Sequence, residues 1–129
     1  FGEKKMFIKT PLKFNYQNFI HNTSIATSTM MVERKKIKNI RFTNTKICED
    51  YYFKCKLLKK VKYAFCLNKF LTNYRIRSDS LQSSNLNNLF WIWKINREYN
   101  KLNIIQNLSS LLLISFNSLK RYKGKNFLY

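Results

Sequence analysis

The sequence predicts an α/β fold: a few short mixed strands set among helices, then two helices toward the C-terminal end. Three observations carry this. From Glu49 onward apolar residues recur at helical spacing, with Tyr51, Cys55 and Leu58 at i, i+4, i+7 and Phe53, Leu57 and Val61 as a second row. Two stretches, Ile25 to Val32 and Tyr63 to Leu67, put apolar or small residues in both alternating sets, as strands covered on both faces do. Beyond Ser84, Leu86-Leu89-Phe90-Trp93 and Leu108-Leu111-Leu112-Ser115-Leu119 form two helical stripes.

Taken in order, Met6 to Lys9 is a short strand ended by Thr10-Pro11, because the residue before proline is pushed out of the helical region. Tyr16, Phe19 and Ile20 suggest a short helix within Phe14 to Ile20 that stops near His21-Asn22. The strand from Ile25 to Val32 is broken by Glu33-Arg34-Lys35-Lys36, which starts a turn or short helix through Ile37. Ile40 to Ile47 is a loop delivering the chain to Glu49, and its Thr43-Asn44-Thr45 run suits either a site rim or plain solvent. After the Glu49 helix comes the buried strand Tyr63 to Leu67, then an extended segment from Phe70 to Ile76. Period-2 alternation there puts Leu71, Asn73, Arg75 and, if the extension continues, Arg77 on one side. Ser78 to Ser84 is turn-like, and Ser83 or Ser84 can cap a helix to about Tyr99. Trp93 lies on that helix's stripe and Trp91 off it. The last helix runs from Leu102 or Ile104 to Tyr122. It closes on Lys120, Arg121, Lys123 and Lys125, which suit the negative end of the dipole.

Composition bounds the function. At 129 residues, with 45% hydrophobic content, the chain can bury one core and is not a disordered segment. The formal charge of +19 invites a nucleic-acid or anionic-membrane partner. Yet only two glycines and one proline accompany abundant Lys, Asn, Ile, Phe and Tyr, a bias that AT-rich coding sequence also produces. Basic residues are spread along the chain without an RRM, KH or zinc-finger signature, so no specific nucleic-acid partner is expected. The last helix is a basic amphipathic element that packs on the domain or lies on a membrane surface. Cys48, Cys55 and Cys66 form no CxxC pair and His21 stands apart as a surface or capping residue. These cysteines read as reduced, buried thiols and not as a zinc site. No apolar run reaches the roughly 18–20 residues that span a bilayer. Phe1-Gly2-Glu3-Lys4-Lys5 carries no secretory pattern and reads as the middle of a longer chain.

The chemistry-bearing residues are few. Glu49 and Asp50 are adjacent carboxylates in a chain with 25 Lys and Arg against 6 Asp and Glu. They sit in a helix's first turn, where the dipole favours anions. Arg75 and Arg77, two residues apart on one side of an extended segment, could clamp a diphosphate.

Three segments resemble family 2 glycosyltransferases: Ile25-Ala26-Thr27-Ser28-Thr29-Met30-Met31-Val32 with Arg34, the small-residue strand; Glu49-Asp50-Tyr51 with the helix that follows, the acceptor-side motif; and Phe70-Leu71-Thr72-Asn73-Tyr74-Arg75-Ile76-Arg77-Ser78-Asp79-Ser80-Leu81, the Tyr-Arg-x-(Arg/His)-x-x-Ser segment. They come in the family's order and spacing, from about Glu3 to Lys123. The resemblance implies a partial GT-A, Rossmann-like domain. Residues 1–82 would be its acceptor-side half and 83–129 a C-terminal helical extension.

It also implies an inverting transferase of cell-surface polysaccharide synthesis. A sugar would move from a nucleotide-sugar donor to a glycan or lipid-linked acceptor, in the cytoplasm or at the inner face of the membrane. Asp50 matches the family's base, with Glu49 as a positioning group. Arg75 and Arg77 would bind the donor diphosphate, and Ser28 and Thr29 would line the acceptor pocket. The family's Asp-x-Asp is absent, since Asp50 and Asp79 are the only aspartates. The divalent metal, Mg or Mn, is therefore expected on a donor-binding half outside this chain, with no metal ligand here. The competing expectation is a basic nucleic-acid-binding module or membrane-surface domain without catalysis.

Overall fold

The computed structural model describes residues 9–72 and 85–123. In chain order these form β1 (Lys13–Phe14), α1 (Tyr16–His21), a 3-10 turn (Thr27–Thr29), α2 (Arg34–Ile37), α3 (Glu49–Lys60), β2 (Ala64–Phe65), α4 (Asn85–Glu98) and α5 (Ile104–Lys123). The architecture is mixed and mostly helical, with one small antiparallel sheet that pairs Lys13 with Phe65 and Phe14 with Ala64.

The centre of the fold is α3, and both of its apolar rows go inside. Tyr51, Cys55 and Leu58 are buried on one side, Phe53 and Leu57 on the other. Tyr51 stacks on Phe19 of α1 with ring centroids 5.5 Å apart, while Phe53 stacks on Phe42 at 4.4 Å. Such pairs contribute about 0.5–1.5 kcal/mol beyond their buried area. Buried Phe14, Phe19, Ile20, Ile92, Ile95 and Ile114 complete the core. Cys48 and Cys55 lie in it as small hydrophobes, and Cys66 is half-buried.

The starts of α1 and α5 are set by asparagines. Asn15 caps α1 in a capping box with Asn18, the Asn18 N–H donating to Asn15 Oδ1 at 2.7 Å. Asn103 and Gln106 do the same at the start of α5, at 2.7 and 3.1 Å. Each box satisfies two backbone N–H groups that the helix cannot. His21 lies in the last turn of α1, where its carbonyl accepts from Asn117 Nδ2 at 3.0 Å.

Where α4 and α5 meet, the interior is polar. Asn96 Oδ1 accepts from the Tyr51 hydroxyl at 2.9 Å and from Asn100 Nδ2 at 3.0 Å. Asn96 Nδ2 donates to Asn107 Oδ1 at 3.1 Å and to Ser110 Oγ at 3.2 Å. Ser110 Oγ donates in turn to the Ile20 carbonyl, and Asn107 Nδ2 to the Trp93 carbonyl. One network thus ties α1, α3, α4 and α5 together.

Several expectations are corrected. Ile25 to Val32 is not a strand but irregular chain with a 3-10 turn at its middle. The Thr29 hydroxyl donates to the Ala26 carbonyl, and local bonds of this kind let Ser and Thr runs leave the sheet. Tyr63 to Leu67 is strand only at Ala64–Phe65: Ala64, paired with buried Phe14, packs on the core, while Phe65, paired with exposed Lys13 on the other face of the sheet, is 75% exposed. Lys13 Nζ lies 3.7 Å over the Tyr63 ring there. The stripes of α4 and α5 are only partly inside: Leu86, Phe90, Leu108, Leu112 and Leu119 are exposed, Leu89 and Leu111 are half-buried against the core, and the fully buried positions are Ile92, Ile95, Asn96, Asn107, Ser110 and Ile114. Burying an amide without a partner is costly, so the asparagine network fixes the helix rotations. Of the Met6 to Lys9 strand only Lys9 is described, and it belongs to no element. Phe70 to Thr72 are irregular, while the rest of that segment and the Ser83 or Ser84 cap lie outside the described residues.

Candidate functional site

The entrance of α3 is where the candidate acids converge. Cys48 precedes the helix at φ 62° and ψ 29°, the left-handed region that a residue with a Cβ occupies at a cost. That conformation turns the chain sharply from the Ile40 to Ile47 loop into the helix and leaves Glu49 and Asp50 in its first turn. Burial first, then the Asp50 and Glu49 carboxylates, push the Cys48 thiol up to about 11. The thiol stays protonated and is no nucleophile.

Asp50 is held on three sides. Its Oδ1 accepts from the Tyr51 N–H at 2.8 Å. Its Oδ2 accepts from the Thr27 hydroxyl at 2.9 Å and from Lys54 Nζ at 2.8 Å. Lys54 lies one turn along the same face and also donates to the Ile25 carbonyl at 2.8 Å. The Lys54 side chain is 6% exposed, the Asp50 side chain 33%. Burial pushes the Asp50 carboxyl up, but the Lys54 ammonium and the Thr27 and Tyr51 hydrogen bonds outweigh it and hold the group below the ordinary carboxylate range. Asp50 is therefore ionised at neutral pH. A carboxylate has about four acceptor positions and three are filled, so one on Oδ1 is left.

Glu49 is exposed and lines an open depression of about 380 Å³ with Phe42, Thr43, Asn44, Thr45 and Lys46. Lys56 pins this loop to α3: its Nζ donates to the Arg41 carbonyl and, at 2.8 Å, to Thr43 Oγ1. Asp50 is not among the lining residues. The Thr43-Asn44-Thr45 run is thus the depression's wall. Ser28 and Thr29 are exposed on the 3-10 turn, and it is their neighbour Thr27 that touches Asp50. Arg75 and Arg77 lie outside the described residues.

Thr27 and Lys54 were not singled out from sequence. Lys54 carries a legible signal, since an acid four residues before a lysine forms a helical pair. Thr27 carries none beyond belonging to a polar small-residue run. The described residues do not suit a divalent cation. No three of His, Cys, Asp and Glu gather among them, and Lys54 occupies Asp50 Oδ2.

Against known proteins, no family model and no solved structure matches. Two curated relatives do. One, from Haemophilus influenzae, is named an uncharacterized glycosyltransferase and is 28% identical over 123 residues, covering 95% of this chain and 49% of that protein. The other, from Bacillus subtilis, is provisionally named a teichuronic acid biosynthesis glycosyltransferase, TuaG; it is 26% identical over 115 residues, covering 89% of this chain and 46% of that protein. The chain spans about half the length of the curated relatives it matches. Along nearly all of its own length, then, it is similar to proteins named glycosyltransferases, and that similarity supports a glycosyltransferase.

Proposed function

We propose that this chain is the acceptor-side piece of an inverting, family 2 (GT-A) glycosyltransferase that builds a cell-surface polysaccharide at the cytoplasmic face of the membrane. The observation that supports it most is the Asp50 carboxylate, ionised, fixed by Thr27, Lys54 and the Tyr51 N–H, with one acceptor position left open. In this reading the acceptor hydroxyl, on a glycan or lipid-linked acceptor, donates to that position. Its oxygen attacks the anomeric carbon of a nucleotide sugar from the face opposite the leaving group. The C–O bond forms as the bond to the nucleotide diphosphate breaks, and the hydroxyl proton passes to Asp50.

The ion pair makes Asp50 a weak base in the ground state. A hydroxyl becomes strongly acidic only as its oxygen gains the new bond, so a fixed, ionised carboxylate suffices at that moment. Glu49, on the depression beside it, adds negative potential and a contact for the incoming acceptor. Ser28 and Thr29, exposed near Thr27, are the next candidates for acceptor contact. Arg75 and Arg77 are the candidates for the departing diphosphate. The divalent cation that the resemblance implies belongs, on this reading, to residues beyond those described.

The test is product stereochemistry. The full-length enzyme is incubated with nucleotide sugars and candidate acceptors, and the anomeric configuration of the product is read by proton NMR. Inversion with release of nucleoside diphosphate is expected. A retained configuration contradicts direct displacement.

A further inference from the structure

The last helix is amphipathic in the wrong sense for a water-facing surface. Its inner side carries buried Ile114 together with Asn107, Ser110 and Asn117, all three hydrogen-bonded to the domain. Its outer side carries Ile105, Leu108, Leu112, Phe116 and Leu119, with Ile105 79% and Leu112 70% exposed. At about 1.5 Å per residue this stripe runs for about 21 Å. On α4, Leu86 and Phe90 are exposed as well. The hydrophobic effect opposes leaving this much apolar surface along one helix face in water, and patches of this kind mark an interface.

Charge says what covers it. From residue 85 to residue 123 the sequence has one acid, Glu98, against Lys94, Arg97, Lys101, Lys120, Arg121 and Lys123. Two copies of a chain with charge +19 would repel across such a face. An anionic bilayer supplies both the apolar depth for the leucines and negative headgroups for the cations. Among the described residues no helix is long and apolar enough to cross a membrane, so the helix would lie in the interface plane.

We propose that the outer face of α5, extended by Leu86 and Phe90 of α4, is a docking surface for an anionic lipid bilayer. The inference stands apart from the glycosyl-transfer reading, since none of these residues belongs to the α3 entrance. The test is co-sedimentation of the full-length protein with vesicles of phosphatidylcholine alone or containing about one third phosphatidylglycerol. A Leu112→Ser/Phe116→Ser variant keeps the charge and alters only exposed positions. Wild type is expected to bind the anionic vesicles, and the variant to bind them at least about tenfold more weakly with an unchanged far-UV circular dichroism spectrum. Equal binding by the two proteins overturns the proposal and leaves bulk charge as the cause. So does absence of wild-type binding, and so does a wild-type dimer that the variant converts to monomer. Glycosyl transfer to a short soluble acceptor, measured in parallel, is expected to be equal in both proteins.

Discussion

Lys54 Nζ lies 2.8 Å from Asp50 Oδ2, one helical turn along α3, and donates to the Ile25 carbonyl as well. A nearly buried ammonium therefore has two fixed acceptors and cannot swing away cheaply. The pair sets the ionisation of Asp50 and, through Ile25, the path of the chain that carries Thr27.

A pH prediction follows from the sign of that effect. The Asp50 carboxyl lies below its ordinary value in the folded protein, with Lys54 the first of the groups that lower it. Lys54→Met removes the cation and raises the Asp50 pKa. If Asp50 must be ionised to act, activity on the acid side falls off at higher pH in the variant than in wild type. A kcat/KM profile of both full-length enzymes checks this; an unmoved acid limb uncouples the pair from catalysis.

Asn96 is fully buried and serves four partners: Tyr51, Asn100, Asn107 and Ser110. Asn96→Ala leaves several of those groups unpaired, each costing about 1–3 kcal/mol when buried. Partial relaxation brings the expected total to about 3–4 kcal/mol, read as the shift in urea unfolding. A loss below about 1 kcal/mol shows that water replaces the amide.

Much of the α3 region was legible in the sequence. The two apolar rows, the first-turn acids and the helix bounds come from local spacing, and local spacing decides them because both faces of α3 find apolar partners. The stripes of α4 and α5 were legible as stripes but only partly in direction: Leu89, Leu111 and Ile114 face the core, while Leu86, Phe90, Leu108, Leu112 and Leu119 do not. Their rotation is set by Asn96, Asn107 and Ser110, which pair only when distant parts of the chain meet, and periodicity ranks an asparagine as solvent-facing. Ile25 to Val32 failed for a related reason: its threonines bond locally, and among the described residues no neighbouring strand claims its backbone. At the site, the Asp50–Lys54 pair is an i, i+4 relation readable on the page, whereas the Thr27 contact spans 23 positions of sequence and is not.

Cys48 tests whether the turn into α3 is strained. At φ 62° a β-branched side chain is excluded more strongly than cysteine's. Cys48→Val is expected to cost about 2 kcal/mol or more. Cys48→Gly relieves the conformation and loses only a small buried side chain, for a net change of about 1 kcal/mol or less. Thermal unfolding of both variants measures this, and equal losses rule out the backbone explanation.

Turnover of Asp50→Asn in the full-length enzyme probes the base most directly. The substitution keeps shape and the Thr27 contact while removing the charge that takes the proton. The account predicts a fall in kcat of roughly 100-fold or more, with circular dichroism and donor binding unchanged. Turnover within a few-fold of wild type contradicts it and takes Asp50 out of the reaction.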